Sequence, residues 1–205
     1  MQKPPDSTLI NICVIPNDQV GKDCIAISKS FESEASMFVL GNGKFAHMTV
    51  FMARFADDQT SQVIKATERV LHSTDGFRCE HSGYFMTEGR YLEVSYRRSI
   101  EFMSLHEQLV QQLAPLRINP GNPYEEGYFT PYTAEQRRNA EETGYDLARN
   151  LYRPHITLTR YKEGMTPKEF PAIPKAALSF NLSKVCIYEA DDNGAVFRLL
   201  KEFAI

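Results

Sequence analysis

The sequence carries one short motif twice, FAHMTV at residues 45–50 and RPHITL at residues 153–158. Each copy contains the order His-apolar-Thr-apolar. Successive side chains of an extended strand point to opposite faces, so the histidine and the threonine share one face while the apolar residues anchor the other. The repeated motif therefore predicts two strands that each present an imidazole beside a hydroxyl.

Two imidazoles that face each other across a cleft suit acid–base chemistry at phosphorus. Near neutral pH either His47 or His155 can act as the base while the other, protonated, gives a proton to a leaving oxygen. The hydroxyls of Thr49 and Thr157 can hydrogen-bond the phosphate oxygens as negative charge builds on them. These four residues are the predicted catalytic set, with no metal and no cofactor. The alternative is two ordinary strands, each with a hydrogen-bonded structural histidine.

Paired motifs of this kind, one in each half of a 205-residue chain, resemble the two-histidine (2H) phosphoesterase superfamily, which includes the LigT-like RNA cyclic phosphodiesterases. The resemblance implies an α+β fold of two pseudo-symmetric antiparallel lobes with flanking helices and an active-site cleft between them. It also implies hydrolysis of a 2′,3′-cyclic phosphate or a 2′-5′ linkage in RNA or a nucleotide. Tyr152 and Arg153, which directly precede the closer-matching second motif, are further candidates for substrate binding.

Composition restricts the partners of the protein. Hydrophobic residues make up 42% and charged residues 24% of the chain, which is ordinary for a globular protein. A net charge of −3 argues against gripping long duplex nucleic acid, which relies on a basic surface, and favours a small nucleotide or an RNA terminus. The four cysteines lack CxxC spacing, and no apolar run approaches membrane-spanning length. We therefore expect a cytoplasmic monomer with no membrane contact, in which residues 1–205 form a single domain of two lobes.

Periodicity predicts strands and helices on both sides of each motif. An apolar run at residues 9–15 predicts a strand, helical spacing follows over residues 20–31, and residues 37–40 predict a second strand. A helix is expected after a cap at Asp57 or Asp58, and another after Ser99. Two hairpins are predicted, one over residues 76–96 and one over residues 185–203, the latter with an Asn-Gly turn.

Residues 115–150 form a predicted insertion or lid between the two motifs. Prolines interrupt the first part of this segment, and Thr133 and Gln136 stand in capping-box positions for a helix. A long segment of this kind is more often functional or disordered than neutral packing. Its rings could stack on a nucleotide base or could only pack the segment onto the body: Tyr124, Tyr128, Phe129 and Tyr132.

Three further histidines receive structural interpretations. His72 is expected to be exposed at a helix end, His81 to be structural, and His106 to lie at the boundary of an apolar helix face.

Two other classes of function stay open. One is a module that keeps the cleft but only binds a nucleotide or an RNA end. The other is a metallohydrolase, against which stands the lack of Asp or Glu within four residues of either motif histidine.

Overall fold

The computed structural model describes residues 6–41, 43–118, 132–165 and 177–205. Across these residues the chain is α+β, as predicted. In chain order the elements are β1 Ser7–Val14, α1 Asp18–Ser30, β2 Ala35–Val39, β3 Met48–Ala56, α2 Thr60–Leu71, β4 Arg78–Cys79, β5 His81–Met86, β6 Tyr91–Tyr96, α3 Ile100–Leu113, α4 Ala134–Thr143, β7 His155–Tyr161, β8 Phe180–Asn181, β9 Lys184–Ala190 and β10 Val196–Ala204.

Two four-stranded antiparallel sheets carry the two motifs, one sheet for each. The first sheet has the order β10-β9-β1-β3, and His47 directly precedes its edge strand β3. The second sheet has the order β2-β7-β6-β5, and His155 begins its inner strand β7. The hairpin β5–β6 from the first half of the chain thus pairs with the second motif strand, and the last hairpin lies in the sheet of the first motif. Chain order alone does not give this exchange.

The two motif strands are buttressed by helices and are buried on their apolar sides. Met48 and Val50 of β3, and Ile156 and Leu158 of β7, are fully buried. Helix α1 is tied to β7 through Ser28, whose hydroxyl donates to the Leu158 carbonyl at 2.5 Å. Burial of such side chains contributes roughly 1.5–3 kcal/mol each. The apolar half of each motif therefore fixes its strand in the core, and the side chains of the His/Thr half are only partly buried.

Helix starts follow the predicted capping chemistry at two positions. Ser99 caps α3 by accepting from the Phe102 amide, and Thr133 with Gln136 forms a complete capping box on α4. The predicted cap at Asp57 or Asp58 is wrong. These residues form a short 3-10 turn, and α2 starts at Thr60 without a side-chain cap. The Asp57 carboxylate instead accepts from the Thr8 hydroxyl at 2.6 Å and ties the turn to β1.

The histidines outside the motifs differ in their surroundings. His72 is exposed and His81 is buried, with its Nε2 at 3.1 Å from the Gly83 carbonyl, as expected for a structural residue. The predicted boundary position of His106 is wrong, because this side chain is 0% exposed. A helical pattern predicts the side of the helix on which a residue lies, but not which other segments pack against it. Here the ring of Tyr152 stacks on His106.

The four cysteines are buried free thiols. No helix in the described part of the chain has the length and hydropathy that a membrane span requires.

Candidate active site

Both motif histidines are oriented by the same local hydrogen bond. The Nδ1 of His47 lies 3.1 Å from the Phe45 carbonyl oxygen, and the Nδ1 of His155 lies 2.7 Å from the Arg153 carbonyl oxygen. A carbonyl oxygen can only accept, so Nδ1 carries the proton in each ring. The Nε2 atoms are then the nitrogens that exchange a proton with a substrate. Both side chains are half-buried, which suits groups in the wall of a cleft.

The surroundings of His47 favour its neutral form. Burial is the largest cause that lowers the pKa of His47, and the charge of a protonated His155 lowers it further. Hydrogen bonds with the backbones of Phe45 and Gly194 act in the opposite direction but do not reverse the shift. Because the charge of a protonated His155 affects the pKa of His47, the two predicted catalytic imidazoles lie close enough to interact electrostatically.

The first threonine is held by a residue that sequence reasoning did not single out. The side-chain amide of Asn11, on β1, donates to the Thr49 hydroxyl oxygen at 2.9 Å. Asn11 is fully buried. With Asn11 occupying an acceptor position, the hydroxyl proton of Thr49 is free to be donated to a phosphate oxygen.

The second motif has a buried carboxylate partner that the sequence analysis missed. Glu93 on β6 pairs directly with Thr157 on β7, and its Oε1 lies 3.5 Å from the Nε2 of His155. The same carboxylate lies 2.7 Å from the guanidinium of Arg153. Glu93 is only 4% exposed, and a charged group is retained at such a position only when it is paired. The signal in the sequence was a lone acid within an otherwise apolar and hydroxyl-bearing strand, YLEVSY.

Arg153, a predicted substrate-binding residue, lies beside this cluster. Its guanidinium is about one-third exposed and covers the ring of Phe85, with Cζ 3.9 Å from the ring centroid. Arg153 thus joins the second motif to β5 through a cation–π contact.

Tyr152, the other residue predicted from its place before the motif, points into the core. It is 1% exposed, and its ring stacks on His106 with a centroid distance of 4.0 Å and an interplanar angle of 2°. Its hydroxyl donates to the Thr49 carbonyl at 3.4 Å. The buried location of Tyr152 therefore does not support the prediction that it contacts substrate. The residue instead links the two motif strands.

One of the four rings predicted to stack on a base lies among the described residues. Tyr132 is 5% exposed and packs in the core. Tyr124, Tyr128 and Phe129 lie outside the described residues, so their predicted role stays a prediction. The same holds for the predicted lid, of which the described part includes α4 and its packing against the 3-10 turn at Ala114–Leu116.

Among the described residues, the structure has no group of three or more His, Cys, Asp or Glu side chains that could hold a metal ion. The charges next to His155 are those of Glu93 and Arg153. The described arrangement can therefore carry out proton transfer through the two imidazoles and donate hydrogen bonds from the two hydroxyls.

Comparison with known proteins connects this arrangement to a family. Residues 40–194 match the model of the 2′-5′ RNA ligase superfamily, and this range contains both motifs. No curated protein matches the chain by sequence.

Solved structures share the fold at low sequence identity. A phosphoesterase structure has a TM-score of 0.65 at 15% identity, covering 97% of this chain and 98% of that one. LigT of E. coli complexed with phosphate gives 0.64 at 14% identity, with 98% of each chain covered. LigT of E. coli complexed with 3′-AMP gives 0.62 at 16% identity, covering 97% and 98%. With the family model spanning more than half of its residues, the chain belongs to the 2′-5′ RNA ligase superfamily of two-histidine phosphoesterases, and it has the LigT-like fold.

Proposed function

We propose that this protein is a metal-independent phosphodiesterase that hydrolyses a 2′,3′-cyclic phosphate or a 2′-5′ linkage by His/His acid–base catalysis. The observation that carries the proposal is the matched pair of imidazoles, each fixed through Nδ1 to the carbonyl two residues before it. A protein that only binds a nucleotide needs no such pair of titrating groups. Thr49 and Thr157 stand beside them as donors to the phosphate.

His47 is assigned as the general base and His155 as the general acid. Burial lowers the pKa of His47, so its Nε2 is unprotonated at neutral pH and can take a proton. A protonated His155 forms an ion pair with the Glu93 carboxylate at 3.5 Å. The two roles thus follow from unequal surroundings, as general acid–base catalysis requires.

The proton transfers balance over one turnover. His47 removes a proton from water as the water oxygen bonds to phosphorus. The bond from phosphorus to the leaving oxygen breaks, and that oxygen takes the proton of His155. The product is a phosphomonoester, and the two histidines return to their starting states by proton exchange with solvent. Donors already in place for the charged phosphate oxygens lower the barrier because they need no reorganisation.

The proposed substrate is a small nucleotide or an RNA end, handled by a monomer. The net charge of −3 suits a compact substrate better than a long phosphate backbone. The similar LigT structures include complexes with phosphate and with 3′-AMP, a nucleotide of this size.

The deciding experiment offers the protein 2′,3′-cyclic nucleotides, 2′-5′-linked and 3′-5′-linked dinucleotides, and locates the phosphate on each product. Turnover of a cyclic phosphate or of the 2′-5′ linkage, with the 3′-5′ dinucleotide left intact, is the expected result. Tight binding without turnover would contradict the proposed enzyme and favour a module that only binds a nucleotide.

The rate is expected to be bell-shaped in pH. Because the lowered pKa keeps His47 neutral in mildly acidic solution, the acidic limb should fall below the ordinary histidine value of 6.5. Glu93→Gln removes the negative charge that lies 3.5 Å from the Nε2 of His155, so it should lower kcat/KM if Glu93 holds the general acid in place. A profile of kcat/KM from pH 4 to 10 measures both effects, and an unchanged kcat/KM in Glu93→Gln would remove Glu93 from the mechanism.

Activity is expected to persist in excess chelator. The phosphate charge would be met by Thr49, Thr157 and the protonated His155, which chelation does not affect. The measurement compares turnover before and after dialysis against EDTA, with and without added Mg²⁺, Mn²⁺ or Zn²⁺. Loss of activity in EDTA that a divalent ion restores would favour the metallohydrolase.

A further inference from the structure

An exposed aromatic ring stands on the sheet face that carries the second motif. Phe85 of β5 pairs with Glu93 of β6, and Glu93 pairs with Thr157 of β7. Residues directly opposite each other on neighbouring strands point to the same face, so these three side chains form one row. With strands spaced about 4.8 Å apart, the Cα atoms of Phe85 and Thr157 are about 10 Å apart. The ring therefore lies within reach of a nucleotide whose phosphate is bound at Thr157.

The ring is exposed but fixed in place. Phe85 is 46% exposed, whereas its neighbours Tyr84 and Met86 pack against the core. The guanidinium of Arg153 lies 3.9 Å from the Phe85 ring centroid and is held from behind by the buried carboxylate of Glu93 at 2.7 Å. The ring and the guanidinium are thus in contact and held in place before a ligand binds, so little side-chain freedom would be lost when a ligand packs on them.

The residues in line with His155 on the neighbouring strands are small. His155 pairs with Ser95 and Ser95 pairs with Gly83, so the row next to Phe85 has only small side chains beyond the imidazole. Gly83 has φ +142°, and a Cβ placed there would meet no atom within 4 Å. The Glu93 carboxylate and the Arg153 guanidinium connect the imidazole to the ring through contacts of 3.5, 2.7 and 3.9 Å, so a ligand bound beside His155 has the layer of Arg153 and Phe85 next to it.

We propose that Phe85, layered on Arg153, is the stacking platform for the base of the substrate. This inference rests on the proposed function and narrows its substrates to phosphodiesters that carry a nucleobase. Stacking on aromatic and guanidinium planes is how single-stranded bases are commonly held, and it tolerates different bases because every base has a π face. The platform should therefore favour nucleotides over base-free phosphates without selecting one base strongly.

The test compares kcat/KM for a 2′,3′-cyclic nucleotide with kcat/KM for ribose 2,3-cyclic phosphate, which has no base. Phe85→Ala should reduce the ratio of the two values by about 5- to 150-fold, the range for the loss of one base–aromatic stack. Phe85→Tyr should keep the ratio, since a phenol ring stacks equally well, and Phe85→Leu should lose most of it. Phe197→Ala removes a ring that is 62% exposed on β10, and serves as the matched control with an unchanged ratio.

A binding measurement makes the result independent of turnover. Calorimetry with a nucleoside 3′-monophosphate and with ribose 3-phosphate should show that Phe85→Ala weakens the first by the same factor and the second little. Equal weakening of both ligands, or an unchanged ratio, would overturn the platform. If the wild-type protein turned over neither cyclic phosphate, the proposed function would fail, and the binding ratio would still decide the platform. Thermal unfolding of each variant checks that the fold is retained.

Discussion

Replacing His47 or His155 by Ala is expected to lower kcat by about 100- to 10,000-fold, the usual contribution of a positioned general acid or base. In the proposed mechanism each imidazole acts in the same transition state, so losing one leaves the other with no partner for the proton transfer. The double variant should therefore be nearly as active as either single variant, rather than showing the product of the two losses. Steady-state rates of the four proteins on one cyclic nucleotide measure this.

His72→Ala is the matched control, because this histidine is exposed at the end of α2. It should leave both kcat and thermal stability unchanged. A single motif variant that keeps more than about a tenth of the wild-type rate would show that its histidine is not a principal catalyst.

A second large effect is expected at His106, on stability rather than chemistry. The Nδ1 of His106 donates to the Val50 carbonyl at 2.7 Å, and its Nε2 accepts from the Arg149 amide at 2.8 Å. Val50 follows Thr49 in the first motif strand, while Arg149 lies six residues before His155 of the second motif strand. The neutral ring thus joins the backbones next to both motifs, and the stacked ring of Tyr152 covers its face.

Burial lowers the pKa of His106 from 6.5 to about 4. Since the folded state then binds a proton less readily than the unfolded chain, the stabilisation is complete above pH 6.5 and is lost as the pH falls toward 4. A shift of this size corresponds to about 3 kcal/mol in the free energy of unfolding. Protonation would also break the hydrogen bond from the Arg149 amide, because a protonated Nε2 cannot accept it.

His106→Phe keeps the stacking ring but leaves the Val50 carbonyl and the Arg149 amide without their partner. At pH 7.5 the variant should unfold with a free energy lower by roughly 2–4 kcal/mol, since each buried unsatisfied group costs about 1–3 kcal/mol. The deficit should shrink as the pH falls, because the wild-type protein loses its advantage. Urea titrations between pH 4.5 and 7.5 test this against His72→Gln as control, and a deficit independent of pH would contradict the proposed titration.

Local signals in the sequence were sufficient for much of the fold. The alternation His-apolar-Thr-apolar requires that Met48 and Val50 face away from His47 and Thr49, and the buried strands β3 and β7 follow from that alternation. The hairpins and the caps at Ser99 and Thr133 were predictable for the same reason, because their hydrogen bonds join residues only a few positions apart. The orientation of each motif histidine is equally local, since it depends on the carbonyl two residues before it.

Tertiary structure alone decided which strands lie beside each motif. Glu93 reaches His155 across 62 positions of sequence because β6 pairs with β7 in a particular register, and a shift of one residue would point the carboxylate away. Asn11 beside Thr49, His106 between two backbone segments and the layer of Phe85 on Arg153 depend on long-range packing in the same way. Strand exchange between the halves of the chain brings Glu93 to His155 and Phe85 to Arg153, and periodicity within one segment contains no information about its partner.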